Sequence, residues 1–402
     1  MAGGPLEGIR VIDQTSVVVG PICTRTLADQ GADVIKVEAP GGDLLRTMAR
    51  GARNPSMSGK FLHFNRNKRS IALDLKAAKG MEAMKRLIAG ADVFVSNVRP
   101  GALVRAGLDH ASLERLNPRL IHCSILAFGR GGRYFDKPAY DPIIQSLSGV
   151  AGTFDKAIGE PRFVPMVMTD HVTGLIAAQA IGFALFHRER TGRGQAIDVP
   201  MLENMASFVM SEHMAGETFE PPAGPAGDNR LVSPDYRPLA TKDGYITAAP
   251  NTNAQAFAFF DVIGRPELKE DPRFLSAAAR SANADAYFKV RAAGLLQRTT
   301  AEWLEIFEKL QVPAACYNTI EQVMSDPHLA DVGFFSREQH PSEGTIWRTR
   351  VPNTFHDGMR SDELSAPRLG EHTRDVLMEV GYSADEVETM LAERAAVAAS
   401  PG

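Results

Sequence analysis

The feature that most constrains this chain is the alternation of short β-branched runs with helical patterns through its first half. Ile9 to Asp13 reads as a strand, Gly20-Pro21 marks a break after it, a helical pattern runs through Leu27 and Ala28, and Ala32 to Glu38 reads as a second strand. Strand, helix and strand at this spacing predict a right-handed parallel crossover. The theme recurs, with strands over Ser70 to Leu75, Asp92 to Ser96 and Leu120 to Ile125 and a helix over Lys79 to Ala89. The expected fold class is α/β, an open parallel sheet flanked by helices.

Beyond it, His171 to Arg188 reads as a helix capped by Thr169 or Asp170. Thr191 to Gln195 is a turn, Ala196 to Val199 a strand and Met201 to Met214 a Met-rich helix. Phe219 to Pro238 carries five prolines (Pro221, Pro222, Pro225, Pro234 and Pro238) and reads as an interdomain linker. A smaller α+β region comes next, with Asp243 to Ala248 opening it and helices at Phe257 to Ile263, Ala284 to Gln297 and Thr300 to Leu310. Val332 to Phe355 is strand-rich, and the tail is helical over Thr373 to Val380 and Ala384 to Ala395.

Composition narrows the function classes. A length of 402 residues suits two or three domains, and 44 lysines and arginines against 48 acids give a net charge of −4, with no basic stretch to hold nucleic acid. Three scattered cysteines (Cys23, Cys123, Cys316) argue for a reducing compartment, against a disulfide framework, and against the paired spacing of a metal site. No targeting segment precedes Arg10, and the weakly polar run from Gly174 to Phe186 falls short of a membrane span. A cytoplasmic enzyme of small molecules is the expectation.

Glu38, at the end of the second strand, invites a dinucleotide reading, but Ser16-Val17-Val18-Val19-Gly20-Pro21 replaces the GxGxxG turn that lets a pyrophosphate approach the backbone. What remains are polar residues near presumed strand ends. Arg66, Lys68 and Arg69 precede one strand, Asp74 and Lys76 come after it, and Asn97, Arg99 and Arg105 come after the next. Singly, each cation reads as a solvated surface charge; together they favour a phosphate-bearing ligand. Asp170 has two compatible readings, a helix cap and a nucleophile kept ionised by helix-terminal N–H groups. His171 lies about 100° round that helix and reads as structural.

These residues sit in longer blocks. PLEGIRVID (Pro5 to Asp13), LADQGADVIKVEAPGGD (Leu27 to Asp43), NRNKRSIALDLK (Asn65 to Lys76), ADVFVSNVRPG (Ala91 to Gly101), LNPRLIHCSI (Leu116 to Ile125), TGRGQAIDV (Thr191 to Val199) and LGEHTRDVL (Leu369 to Leu377) occur in this order. With them the chain resembles the class III (formyl-CoA/carnitine-type) coenzyme A transferases over nearly its whole length. The resemblance implies that Asp170 is the nucleophile and that CoA moves from an acyl-CoA donor to a free carboxylic acid through an aspartyl anhydride and an aspartyl-CoA thioester. It implies a coenzyme pocket at Val18, Val19, Leu73, Asp74, Lys76, Asn97, Arg99, Arg105 and Tyr140, with CoA thioester as substrate, no tightly bound cofactor and no metal. It also implies an interlocked-ring homodimer, with residues 1–217 and 331–402 in a large Rossmann-like domain, 218–238 as linker and 239–330 in the small domain.

Two departures stand out. Val18 replaces a glutamine of many transferases and cannot donate its hydrogen bond, and Pro221 to Asn229 replaces the glycine-rich lid of the formyl/oxalate enzymes. A 2-methylacyl-CoA racemase of the same fold is the alternative, but Tyr140 stands where a catalytic histidine is needed and Pro250 to Gln255 holds no acid. A CoA-binding protein without turnover is the other. A short dicarboxylate such as succinate is the expected acyl group, with Arg46, Arg50 and Arg230 as candidate readers of its distal carboxylate.

Overall fold

The structure, a computed structural model, describes residues 3–48, 52–356 and 363–400. Six strands run parallel: β1 (Arg10–Gln14), β2 (Asp33–Glu38), β3 (Lys68–Leu73), β4 (Val93–Ser96), β5 (Ile121–Leu126) and β6 (Gln195–Pro200). Their spatial order is β3-β2-β1-β4-β5-β6, and Ala396–Val397 closes the β3 edge as an antiparallel strand. Each strand falls within two residues of its expected position.

Strands β1 to β5 are buried on both faces, as parallel strands are where helices cover them, while β6 at the edge exposes Ala196 and Asp198. Ile12, Ile35, Ile71 and Phe94 point into one apolar cluster, and Val11, Val34, Val93, Val95 and Ile121 into another. Alternation of the pleat sends neighbours such as Val11 and Ile12 to opposite sides.

Four helices surround the carboxyl edge of this sheet: α1 (Val19–Asp29), α2 (Pro100–Ala106), α3 (Asp141–Leu147) and α4 (Met168–Thr191). α4 begins three residues before its expected start, so Asp170 is its third residue and not its cap. It packs on α1 through small residues, because a Cβ on Gly174 would lie 2.6 Å from the Val19 carbonyl oxygen. The helix ends at Gly192, whose φ of 75° a residue with a side chain adopts only at a cost.

Two compact units are present. The first comprises 1–148, 165–206 and 333–402; the second comprises 149–164 and 207–332. Phe219 to Pro238 therefore belongs to the second unit. That unit has a three-stranded antiparallel sheet and an aromatic core in which Phe259, Trp303 and Phe307 stack, and two of its helices are α5 (Ala277–Ala282) and α6 (Ala284–Leu295). Phe335–His340 and Gly344–Thr349 form a hairpin of the first unit. Among the described residues no helix is long and apolar enough to cross a membrane.

Candidate active site

The sheet reverses its winding at β1: the chain leaves it toward β2 on one side and returns as β4 on the other. Ligands of open α/β sheets bind beyond the carboxyl ends of strands at such a switch point. A cavity of about 240 Å³ lies there, lined by the turn after β1 (Ser16 to Val19), the turn after β4 (Asn97 to Pro100), the end of β5, the Phe135 and Lys137-to-Tyr140 segment, and Asp170.

The β1–α1 turn is strained and clamped. Val17 has φ 66°, a left-handed conformation that a β-branched residue adopts at a cost of roughly 1–3 kcal/mol. Its neighbours hold it there. Asp13 accepts from the Thr15 N–H (3.0 Å) and hydroxyl (2.5 Å), and the Lys36 ammonium donates to the Thr15 carbonyl (2.8 Å). Asn97 both accepts from the Ser16 N–H (3.1 Å) and donates to the Ser16 carbonyl (3.0 Å), while Asp43 accepts from the Val17 N–H (3.0 Å). Beneath the turn the buried pairs Lys36–Asp43 (2.9 Å) and Lys68–Asp13 (3.0 Å) lock the clamp. Burial alone would raise the Asp13 carboxyl, but Lys68, Lys36 and two threonine hydroxyls bring it down to about 2. The first-turn amides of Val19 and Gly20 have no hydrogen-bond partner among the described residues, and Val19 lines the cavity while Gly20 is buried behind it.

Asp170 enters from α4. The residue is 9 % exposed, lines the cavity, and its carboxyl has no ion pair or hydrogen bond among the described residues. The helix-terminal amides that would hold its charge are taken by Asp141 of α3, which accepts from the Thr169 N–H and hydroxyl (both 2.7 Å) and the Asp170 N–H (3.3 Å). Gln145 braces the other Asp141 oxygen at 2.7 Å. Burial first, and the charge of Asp141 second, push the Asp170 carboxyl up to about 7. The expectation that the helix terminus keeps Asp170 ionised is thus overturned: the capping role and the terminal amides belong to Asp141, and Asp170 is left a desolvated carboxyl whose charge is poised near neutrality.

The structure brings together Val18, Val19, Asn97, Arg99, Tyr140 and Asp170 around one cavity. Leu73, Asp74, Lys76 and Arg105 lie outside its lining. Leu73 is fully buried in the sheet, Asp74 accepts from the Lys76 N–H (3.0 Å), and Lys76 and Arg105 are exposed. Three other cations are not free for an anion. Lys68 is buried against Asp13, Arg66 pairs with Asp29 (2.9 Å), and Arg69 pairs with Asp33 (2.7 Å) and Glu379 (2.6 Å), because β3 presents its amino end here and not its carboxyl end. Arg46 is 1 % exposed and forks onto both Glu38 oxygens at 2.7 Å, which removes each from ligand binding. Arg50 lies outside the described residues, and Arg230 lines a cavity of the second unit. His171 packs edge-on against Phe64 (5.6 Å), as a structural histidine does.

Sequence reasoning missed Asp43 and Lys36 as the clamp, Asp141 as the cap of α4, and Lys137 as a second cation beside Arg99 on the cavity lining.

Residues 6–373 match the family model of CoA-transferase family III. The chain is 34% identical over 392 residues to succinyl-CoA:glutarate CoA-transferase of Mus musculus, covering 96% of this chain and 89% of that protein. It is 32% identical over 410 residues to formyl-CoA:oxalate CoA-transferase of Escherichia coli, covering 96% and 98%. Among solved structures, a CAIB/BAIF family protein from Brucella suis superposes with a TM-score of 0.79 at 32% identity, covering 94% of this chain and all (100%) of that one. The chain is a CoA-transferase and belongs to CoA-transferase family III.

Proposed function

We propose that Asp170 is the covalent nucleophile of a CoA transfer between a short dicarboxylyl-CoA and a free carboxylic acid, with succinate- and glutarate-type acids as the acyl groups. The observation that carries this reading is a desolvated carboxyl with no counter-ion, opening onto a cavity that Arg99 and Lys137 also line.

The Asp170 carboxylate attacks the donor thioester carbon, the C–S bond breaks, and an acyl-aspartyl anhydride forms with CoA thiolate as leaving group. The thiolate attacks the aspartyl carbon of the anhydride, releasing the donor acid and leaving an aspartyl-CoA thioester. The acceptor carboxylate then attacks that thioester, expelling thiolate and forming a second anhydride, and the thiolate finally takes the acceptor acyl group. Each step exchanges one activated acyl bond for another and no water enters, so the donor thioester's free energy passes to the acceptor thioester and the exchange needs no ATP. Because Val18 has no side-chain donor, the Val19 and Gly20 amides carry the oxyanion, and the clamp on Val17 holds them in place. Arg99 and Lys137 attract the anionic substrates. Asp74 and Lys76 leave the same carboxyl edge of the sheet, and with Arg105 we assign them to the nucleotide end of CoA; Leu73, fully buried in the sheet, is left out of that assignment.

The racemase alternative has little support, since no histidine is among the residues lining the cavity. We further propose a homodimer of interlocked rings in the cytoplasm. An exposed apolar face of α4 supports a protein interface: Leu175, Phe183 and Phe186 are 52, 67 and 65% exposed at helical spacing.

The test is Asp170→Ala. CoA exchange between succinyl-CoA and glutarate should vanish while CoA still binds with its original affinity; exchange that persists in the variant overturns the assignment. Arg99→Gln should raise KM for acyl-CoA about tenfold with little change in kcat, the loss of one charge-assisted contact.

A further inference from the structure

A second cavity, of about 160 Å³, lies wholly within the second unit and shares no residue with the first. Arg230, Arg280 and Arg291 line it, with the rings of Tyr287 and Phe288 and the backbone turn at Asn251. Arg280, on α5, is 3 % exposed and donates to the carbonyls of Phe274 and Asn251 (both 2.9 Å) and to the Asn253 side-chain oxygen (3.0 Å). Arg291, on α6, is partly buried and donates to the Ala248 carbonyl. Every one of these acceptors is neutral.

The two guanidiniums share one aromatic ring. Arg280 and Arg291 lie 5.7 and 5.6 Å from the Tyr287 centroid, and Arg291 is 5.0 Å from that of Phe288. The Tyr287 hydroxyl donates to the Pro250 carbonyl at 2.8 Å, which fixes the ring. Among the described residues no carboxylate forms an ion pair with Arg280 or Arg291. Asp228 reaches only the exposed Arg230, at 4.0 Å, and Asp285 of α6 accepts from the Ser233 hydroxyl (2.5 Å) and lines a different cavity.

Buried charges are ordinarily paired, because desolvation is expensive. Here two guanidiniums sit close to one ring, and cation–π contacts return only about 0.5–2 kcal/mol each. Burial lowers the Arg291 pKa, with Tyr287 opposing it, which is what a desolvated cation lacking a counter-ion does. A guanidinium fork suits the paired oxygens of a carboxylate or phosphate.

We propose that the Arg230–Arg280–Arg291 cavity is a small-oxyanion site, taking a carboxylate or a phosphate group, independent of Asp170. Arg291 is the specific ligand, Arg280 supplies fixed field from behind its structural bonds, and Arg230 closes the rim.

Inorganic phosphate and succinate are titrated separately into the full-length protein by calorimetry, against wild type, Arg291→Gln, Arg291→Lys and Arg99→Gln. At least one anion should bind the wild type, and whichever binds identifies the phosphate or carboxylate source. Arg291→Gln should weaken it at least ~10-fold and Arg291→Lys should retain part of it, while in Arg99→Gln, which alters the other cavity, the Arg291-dependent binding should stay within about twofold. Because Arg291→Gln can fail to fold, the wild type is also labelled with an arginine-directed dicarbonyl: the bound anion should protect Arg291 and Arg230 in peptide mapping. The proposal is overturned by absence of binding for both anions, by binding that Arg99→Gln abolishes and Arg291→Gln spares, or by unprotected labelling of Arg291 at saturating anion.

Discussion

At the scale of single residues the site turns on two carboxyls with opposite duties. Asp141 spends one oxygen on the first turn of α4 and the other on Gln145, and Asp170 is left desolvated beside that charge. Asp170 has its acid pKa raised from 3.8 to about 7 in the folded chain, so the folded state binds the extra proton between those values. The stabilisation this gives is complete below the unfolded pKa and is lost as pH rises through about 7. Asp170→Asn, which cannot ionise, should therefore melt higher than wild type by a margin that grows from pH ~4 to pH ~8, up to roughly 4 kcal/mol from the three-unit shift. Thermal unfolding across that range checks it, and an unchanged difference contradicts it. The same carboxyl must be ionised to attack, so kcat/KM for acyl-CoA should rise through about pH 7. Asp141→Asn keeps an oxygen for the Thr169 amide and removes the neighbouring charge, so the midpoint should fall by ~1 unit. A midpoint that stays or rises excludes the coupling.

At the scale of elements, precision comes from close approach. α4 lies against the β1–α1 segment through Gly174, and a methyl there meets the Val19 carbonyl oxygen at 2.6 Å. Gly174→Ala should destabilise the protein by about 1–3 kcal/mol and depress kcat more than KM, since it moves both the nucleophile and the oxyanion amides. Denaturant unfolding and steady-state kinetics on one preparation measure the pair of effects. The elements themselves were legible where period and turn chemistry agreed. β1, β2 and the Lys79-to-Ala89 helix emerge directly from β-branched runs, Gly20-Pro21 and an apolar stripe. Boundaries set by side chains from elsewhere were not legible. Nothing local to Val167 reveals that Asp141, 29 residues before Asp170, caps α4. The helix from Asn253 is the opposite case: it starts four residues before its apolar pattern because Thr252 and Gln255 form a capping box, a local signal that the apolar pattern alone overlooks.

At the scale of the molecule, the fold brings six separated segments, that of Met201 included, to one cavity, and that assembly is invisible to spacing alone. Asp43 and Asn97 converge on Ser16 and Val17 from the far ends of β2 and β4, so the clamp could not be read from any one stretch. Cations misled for the same reason. Arg66, Lys68 and Arg69 look like a phosphate cluster until the parallel register places them at the amino end of β3 against Asp29, Asp13 and Asp33. The blocks from Pro5 to Leu377 revealed the family because they record the whole assembly at once. The exposed apolar face of α4 belongs to this scale too. Phe183→Glu with Phe186→Glu should reduce the solution mass from dimer to monomer in analytical ultracentrifugation, and a wild type that sediments as a monomer contradicts the interface.

Passage of an acyl group through Asp170 is the step on which the whole mechanism depends. Wild-type protein turning over succinyl-CoA in the presence of hydroxylamine should yield a hydroxamate on the Asp170 peptide, seen by mass spectrometry as a replacement of the carboxyl hydroxyl by NHOH. The label should be absent from Asp170→Asn and absent without acyl-CoA. An active enzyme whose Asp170 peptide stays unmodified, or a hydroxamate on another carboxylate, contradicts it.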